Sequence, residues 1–164
     1  MITEKMKFKG SLDIHMNGEL VQHIPNKVVA VGRDWVVNRM KDNYTAGADS
    51  AKSPMTHMAV GERDWETEGV TEVPDDATQL TSEITTANGG RQGVTIATPT
   101  VTGRLVLQFV ANFDAGDATG ALTEAGIFNS GTTNGGSMLC YTKFDQINKG
   151  ANDTLQITWR IQIS

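Results

Sequence analysis

The segment Asp153-Thr-Leu-Gln-Ile-Thr-Trp-Arg-Ile-Gln-Ile-Ser164 alternates strictly between apolar and polar residues from Leu155 onward. The apolar positions are Leu155, Ile157, Trp159, Ile161 and Ile163. A period of two is what a β-strand requires when one face lies on a core and the other meets water. A helix would scatter the same five side chains around its circumference. Because one strand cannot bury them alone, the segment predicts a central strand of a larger sheet.

Further strand patterns surround one helical pattern. Apolar residues flank Asn17-Gly18, a dipeptide typical of a type I′ turn, so residues 6–24 predict a β-hairpin. The helix is expected at about residues 28–40, where apolar residues recur at three- and four-residue spacing; these are Val28, Val31, Trp35, Val36 and Met40. The remaining chain predicts a short strand ending at Gly61 and, in its last 70 or so residues, four strands in a meander or Greek key.

Together these patterns predict a mainly β fold. With about seven or eight strands, an antiparallel two-layer β-sandwich or jelly roll carrying one helix is expected. The 164 residues are expected to form one domain, 1–164, with an N-terminal arm or hairpin at about 1–25. A net charge of −5 argues against duplex nucleic acid or an anionic membrane as the main partner. No apolar run has the length of a signal-peptide core or a membrane span, so assembly in a reducing cytoplasm is expected.

Residues that often carry chemistry lack the spacing of a catalytic or metal site. Cys140 is the single cysteine and lies in an apolar strand pattern, which favours a buried thiol. The histidines His15, His23 and His57 show no metal-ligand spacing, although the first two could face each other across the hairpin. Glu124 is interpreted as a hydrogen-bonded structural carboxylate. We therefore expect no catalytic residue, no metal, no cofactor and no enzymatic activity.

Polar loops interrupt the strand pattern at several places. Residues 41–54 and 62–77 predict two excursions over the surface, which contain Tyr44 and Trp65. An aromatic residue in such a charged setting either covers the core or forms a contact surface, and the first interpretation is favoured for Trp65. In a third loop, Asp114 and Asp117 lack the closing Glu of a calcium loop and are typical of a turn.

Several segments, taken in order, resemble those of small structural virion proteins of tailed bacteriophages. The segments are Asn26-Lys-Val-Val29, Thr56-His-Met-Ala-Val-Gly61, Thr78-Gln-Leu-Thr-Ser-Glu-Ile84, Leu122-Thr-Glu-Ala-Gly-Ile-Phe-Asn129 and Ile147-Asn-Lys-Gly-Ala-Asn-Asp-Thr-Leu-Gln-Ile-Thr-Trp159. Similar segments occur in capsid decoration (cement) proteins and in the attachment domains of tail-fibre or baseplate proteins. The resemblance covers about residues 26–164. It departs from the usual pattern after Gly61, where residues 62–74 are longer and more charged.

The resemblance implies a non-enzymatic capsid decoration protein. Such a protein would act as a homotrimer in the virion and clamp neighbouring major capsid subunits, without nucleic acid or membrane contacts. The alternative is a tail-fibre or baseplate adaptor that binds other virion proteins. A third hypothesis is a carbohydrate-binding β-sandwich or a glycan-cleaving enzyme, which would need exposed aromatic residues. The residues expected to contact partners are Ile2, Met6, Phe8, Tyr44 and Trp65.

Overall fold

A computed structural model describes residues 7–41, 53–85, 88–101 and 103–163 of the chain. The strands, in chain order, are β1 (Phe8–Met16), β2 (Glu19–Pro25), β3 (Lys27–Val28), β4 (His57–Gly61), β5 (Gln92–Ala97), β6 (Thr100–Val101), β7 (Arg104–Leu105), β8 (Leu107–Phe113), β9 (Gly120–Phe128), β10 (Met138–Lys149) and β11 (Leu155–Ile163). One helix, α1 (Ala30–Lys41), lies between β3 and β4. The described part of the chain therefore has more strands than predicted, and three of them span only two residues.

β11 is a central strand, as its alternating sequence predicts. It pairs antiparallel with β1 on one side and with β8 on the other. Trp159 stands opposite Leu12 of β1 and Phe109 of β8, and all three side chains are buried. Ile161 is also buried, at 6% exposure, so the prediction that this face lies on the core is confirmed.

The predicted N-terminal hairpin is formed by β1 and β2. Its two-residue turn has positive φ at both positions, 50° at Asn17 and 85° at Gly18, as a type I′ turn requires. The Asn17 side chain also ties the turn to the start of β11. Its Nδ2 donates to Asp153 Oδ1 at 2.9 Å, and its Oδ1 accepts from the Thr154 N–H at 2.9 Å. The hairpin is therefore fixed by its own turn and by a contact distant in sequence.

Nine strands form one sheet in the order β2-β1-β11-β8-β5-β4-β9-β10-β3. The sheet curls until its ends approach each other. The Gln22 side chain of β2 joins the Asp145 backbone of β10, donating to its carbonyl at 2.7 Å and accepting from its N–H at 3.0 Å. The mainly β, antiparallel fold with one helix is confirmed, and the two-layer sandwich or jelly roll stays a prediction for this nearly closed sheet.

The last four long strands, β8 to β11, do not pair in sequence order and so do not form a meander. β8 pairs with β11, and β9 pairs with β10, while β5 and β4 separate the two pairs in the sheet. The Greek-key alternative is closer to this order. β8 is a middle strand, as predicted, with Phe109, Ala111 and Phe113 buried on its core face.

The helix α1 packs across β10 with a shorter apolar face than its sequence predicts. Gly32 brings the helix against the β10 backbone, since a Cβ there would lie 2.1 Å from the Leu139 carbonyl oxygen. Trp35 and Val36 pack partly buried against the main core. Met40 was expected on the same face but is 71% exposed, so the buried apolar face of α1 does not include this side chain in the final turn.

Apolar side chains gather on both sides of the β4-β9-β10 region. The larger cluster lies inside the curled sheet and contains Trp159, Phe109 and Phe113. A second cluster lies outside it and contains Val29, Ala59, Trp65, Val73, Leu80, Phe128, Met138 and Tyr141. The chain between β4 and β5 covers this second cluster, so β9 and β10 are buried on both faces.

Candidate functional site

The segment 62–84, which follows β4, is the candidate functional site because it combines buried anchors with an exposed acidic surface. Its anchors are Trp65, Val73 and Leu80, each no more than 9% exposed. The charged residues of the segment are solvent-exposed, with one basic exception, Arg63, and one acidic exception, Glu83; the exposed acids are Glu62, Asp64, Glu66, Glu68, Glu72, Asp75 and Asp76. Apolar residues at irregular spacing therefore fix a loop in which all carboxylates except that of Glu83 face solvent.

Trp65 is the main apolar anchor of the segment. It is 5% exposed, and its indole Nε1 donates to the Thr123 carbonyl at 3.2 Å. The Arg63 guanidinium lies 4.1 Å from the centre of its ring, and Lys143 Nζ lies 5.2 Å from it, both distances at which cations interact with an aromatic ring. The interpretation that Trp65 covers the core is confirmed.

A buried polar network lies beside Trp65. Arg63, the basic exception, is 7% exposed and donates from Nη1 to the Tyr141 hydroxyl at 3.1 Å and from Nε to Glu68 at 2.8 Å. The Tyr141 hydroxyl in turn donates to the Glu124 carboxylate. This chain of hydrogen bonds links the segment 62–84 to β9 and β10. Each buried polar group gains a partner, which offsets the cost of removing it from water.

Glu124 is completely buried and receives hydrogen bonds from three donors. Besides Tyr141, the backbone N–H groups of Ser82 and Thr81 donate to it, at 2.7 and 3.4 Å. Gly61 must be glycine here, because a Cβ would lie 2.4 Å from Glu124 Oε1. The carboxylate thus fixes the segment against β9, which supports its interpretation as a structural residue.

Burial controls the protonation of this pair. It raises the pKa of Glu124, while the hydrogen bonds from Tyr141 and Ser82 oppose the rise. Burial, together with the nearby Glu124 carboxylate, raises the pKa of Tyr141 to about 12. The Tyr141 hydroxyl therefore stays protonated at neutral pH and donates a hydrogen bond to the carboxylate.

A cleft of about 480 Å³ opens outside this network. Its walls carry the carboxylates of Glu62, Asp64, Glu66 and Asp145, with Lys143 among them. In the described part of the chain, groups of three or more potential metal ligands are absent. The cleft is thus a concavity with more acidic than basic residues in its walls, formed by the segment 62–84 together with β9 and β10.

A second buried cation organises the other end of the segment. The Arg91 guanidinium lies 3.6 Å from the centre of the Phe128 ring and forms two hydrogen bonds with Glu83, at 2.7 and 2.9 Å. It also donates to the carbonyls of Ser130 and Gly135 and to the Gln79 side chain, at 2.8 to 2.9 Å. Arg91 therefore connects the segment 62–84 to the loop between β9 and β10.

Lys149 is a third buried cation. It is 2% exposed, and its Nζ donates to the Asp114 backbone carbonyl at 2.9 Å. Burial lowers its pKa, while the carboxylates of Asp117, Asp153 and Asp114 oppose the decrease. The Lys149 ammonium therefore fixes the loop that contains Asp114 and Asp117, a role that in a calcium loop would belong to the metal ion.

Sequence reasoning did not identify Arg63, Arg91, Lys149 or Tyr141 as buried polar residues. Their partners are distant in sequence, and only the order of the strands brings them together. Arg91 follows Asn88-Gly-Gly, and Lys149 precedes a glycine, so both look like ordinary turn residues. No signal at fixed spacing could have identified them.

Of the five predicted contact residues, Ile2, Met6 and Tyr44 lie outside the described residues. Phe8 is partly buried in β1 and packs against the core. Trp65 is buried beneath the cleft, so the structure does not bring these two residues to one surface. Their roles as partner contacts stay predictions.

The remaining candidate residues occupy structural positions. Cys140 is completely buried, as predicted; burial raises the pKa of its thiol, and the Asn26 amide donates to its sulfur at 3.2 Å. The two hairpin histidines are not opposite each other. His23 is paired with Asp13, and His15 is paired with Leu20.

Comparison with known proteins found no matching family model, curated protein or solved structure. Among the described residues, helices with the length and hydropathy needed to cross a bilayer are absent.

Proposed function

We propose that this chain is a non-enzymatic structural protein of a tailed bacteriophage particle, in which it is a capsid decoration protein. It clamps neighbouring major capsid subunits, acts as a homotrimer and is located in the virion. Modest contacts to several subunits at once sum to stable attachment.

One observation carries the proposal. Three of the segments that carry the resemblance, separated in sequence, form one unit around Glu124. Thr56–Gly61 contains β4, which pairs with β9 of Leu122–Asn129. Thr78–Ile84 donates two backbone hydrogen bonds to the Glu124 carboxylate of β9. The resemblance is therefore carried by residues that hold one another in place, as expected if they determine a shared fold.

The surface that we assign to capsid contact is the acidic side of the segment 62–84. It is where the sequence departs from the resemblance, and its buried anchors keep it rigid. A preformed surface loses little conformational entropy when a partner binds. Its carboxylates suit a basic surface on the capsid subunits.

Quantitative mass spectrometry of purified particles tests the proposal. We expect the chain in a copy number comparable with that of the major capsid protein, and labelled protein bound over the whole capsid. Glu66→Lys and Asp64→Lys should weaken this binding, while Glu19→Lys, at an exposed residue that does not line the cleft, should not. Labelling confined to tails would contradict the proposal.

The alternative function is a tail-fibre or baseplate adaptor. β2 forms one end of the nine-stranded sheet, and it exposes 57% of Leu20 and 45% of Val21. Such an edge suits the addition of a strand from a neighbouring protein. A copy number close to that of known tail proteins would favour this function.

A further inference from the structure

The sequence contains three Asn-Gly dipeptides, at Asn17, Asn88 and Asn134. An Asn followed by glycine is prone to deamidation, in which the glycine backbone nitrogen attacks the Asn side-chain carbonyl carbon. Glycine has no side chain to hinder this approach. All three lie in turns of the described chain. They differ in what holds the side-chain amide.

The Asn17 amide is held by two hydrogen bonds. Its Nδ2 donates to Asp153, and its Oδ1 accepts from the Thr154 N–H, both at 2.9 Å. The Asn17 backbone N–H also donates to the Thr154 carbonyl at 2.9 Å. Rotating this side chain toward Gly18 would break both side-chain bonds.

The Asn88 amide is held by one hydrogen bond in a half-buried turn. The side-chain Nδ2 donates to the Thr119 carbonyl at 2.7 Å. The backbone carbonyl of Asn88 accepts from the Ala118 N–H at 2.9 Å. Asp117 packs closely against this turn: a Cβ built on Gly89 would lie 2.5 Å from the Asp117 Oδ1 atom.

The Asn134 side chain is exposed, and among the described residues it has no hydrogen-bond partner. Its backbone has a φ of 58° in the loop between β9 and β10. The neighbouring Gly135 N–H donates to the Thr132 carbonyl at 2.9 Å, and this single turn bond must open before the nitrogen can react.

We propose that Asn134 is a site of spontaneous deamidation in the folded protein, and that Asn17 and Asn88 are protected. The deprotonated Gly135 nitrogen attacks Cγ of Asn134, a C–N bond forms, and the side-chain nitrogen leaves as ammonia. Water then opens the cyclic succinimide at either carbonyl, giving aspartate or isoaspartate. Overall, one water is consumed and one ammonia is released for each carboxylate formed.

The modification bears on the Arg91 cluster. The Gly135 carbonyl, next to the reacting bond, accepts a hydrogen bond from Arg91 Nη1 at 2.8 Å. An isoaspartate inserts an extra carbon into the backbone at this point and displaces that carbonyl. Conversion of Asn134 therefore adds a negative charge and loosens the loop between β9 and β10.

Peptide mapping by mass spectrometry tests the proposal. The purified full-length protein is incubated folded in mildly alkaline buffer, and conversion of amide to acid is followed at each of the three sites. We expect Asn134 to convert roughly tenfold or more faster than Asn17, since two hydrogen bonds protect the latter. In concentrated urea the three rates should converge, because only the folded structure distinguishes the sites.

Two variants separate protection from intrinsic reactivity. Asp153→Ala removes the acceptor of Asn17 Nδ2 and should accelerate conversion of Asn17 severalfold, with Asn134 unchanged. Asn134→Gln should remove most of the acidic species formed by the folded protein. An Asn134 rate no greater than that of Asn17 in the folded protein overturns the proposal, as does a ranking that persists unchanged in urea.

Discussion

At the scale of single residues, the hydroxyl of Tyr141 connects a buried cation to a buried carboxylate. It accepts a hydrogen bond from Arg63 and donates one to Glu124, and all three side chains are buried. Removing it would leave both groups short of a hydrogen bond, although the ring would still fill its space.

We therefore predict that Tyr141→Phe destabilises the protein by about 1–3 kcal/mol. Urea denaturation of the purified variant would measure the loss. A double-mutant cycle with Glu124→Leu, which has no acceptor for the hydroxyl, separates the contribution of the hydrogen bond from that of each partner. Additive effects of the two substitutions would contradict a direct interaction.

The Glu124 carboxyl gives the stability a defined dependence on pH. Because burial raises its pKa above the ordinary value of 4.5, the folded protein binds its proton more tightly than the unfolded chain. Its contribution to stability is fully present below that value and is lost as the pH rises through the folded pKa.

Stability curves of the wild type and Glu124→Gln, measured as a function of pH, would test this prediction. The advantage of the wild type over the variant should be largest in acid and should shrink as the pH rises above 4.5. Glu66→Gln is the control, because Glu66 is exposed. An advantage that grows with pH would contradict the assigned direction of the pKa shift.

At the scale of elements, the strands with strict alternation or a recognisable turn could be predicted from sequence. β11 and the hairpin of β1 and β2 are examples, because their signals lie within one short segment. α1 was also predicted, although its final turn is more exposed than expected. The two-residue strands could not be predicted, since they exist only where a partner strand happens to pass.

The turn of the hairpin offers a matched test of backbone strain. Gly18 has a φ of 85°, and nothing lies within 4 Å of a Cβ built there. Gly18→Ala should therefore cost about 1 kcal/mol from the left-handed backbone alone. Gly93 in β5 has equally open surroundings and is not in that conformation, so Gly93→Ala should be neutral or slightly stabilising. Thermal unfolding of both variants would measure the difference, and equal losses would contradict the argument.

At the scale of the whole molecule, the closure of the sheet depends on side chains. β2 and β10 approach each other, and the Gln22 side-chain amide bonds both the backbone N–H and the backbone carbonyl of Asp145. These two bonds replace the backbone pairing that neighbouring strands would normally form. The side chain thereby joins β2, at one end of the sheet, to β10, the strand next to the other end, and these two strands share no backbone ladder among the described residues.

We predict that Gln22→Ala accelerates hydrogen exchange of the Asp145 amide, which loses its acceptor. The loss of global stability should be about 1 kcal/mol or less, because the bond is exposed to solvent. Exchange measured residue by residue by NMR would detect the local effect. Gln146→Ala is the control, since Gln146 is the next residue of β10 and its exposed side chain donates to Asn148 instead. Unchanged exchange at Asp145 in Gln22→Ala would show that the bond does not fasten the sheet.

The sequence by itself determined the class of fold, the central position of β11, the hairpin turn and the burial of Cys140. Each of these follows from a pattern among neighbouring residues, where periodicity and turn chemistry act locally. Only the tertiary structure decided the strand order, the closure at Gln22 and the clusters around Arg63 and Arg91. Those features join residues that are mostly tens of positions apart in the sequence. The residues around a buried charged side chain look the same in the sequence as those around an exposed one, so its burial is visible only when its partners are known.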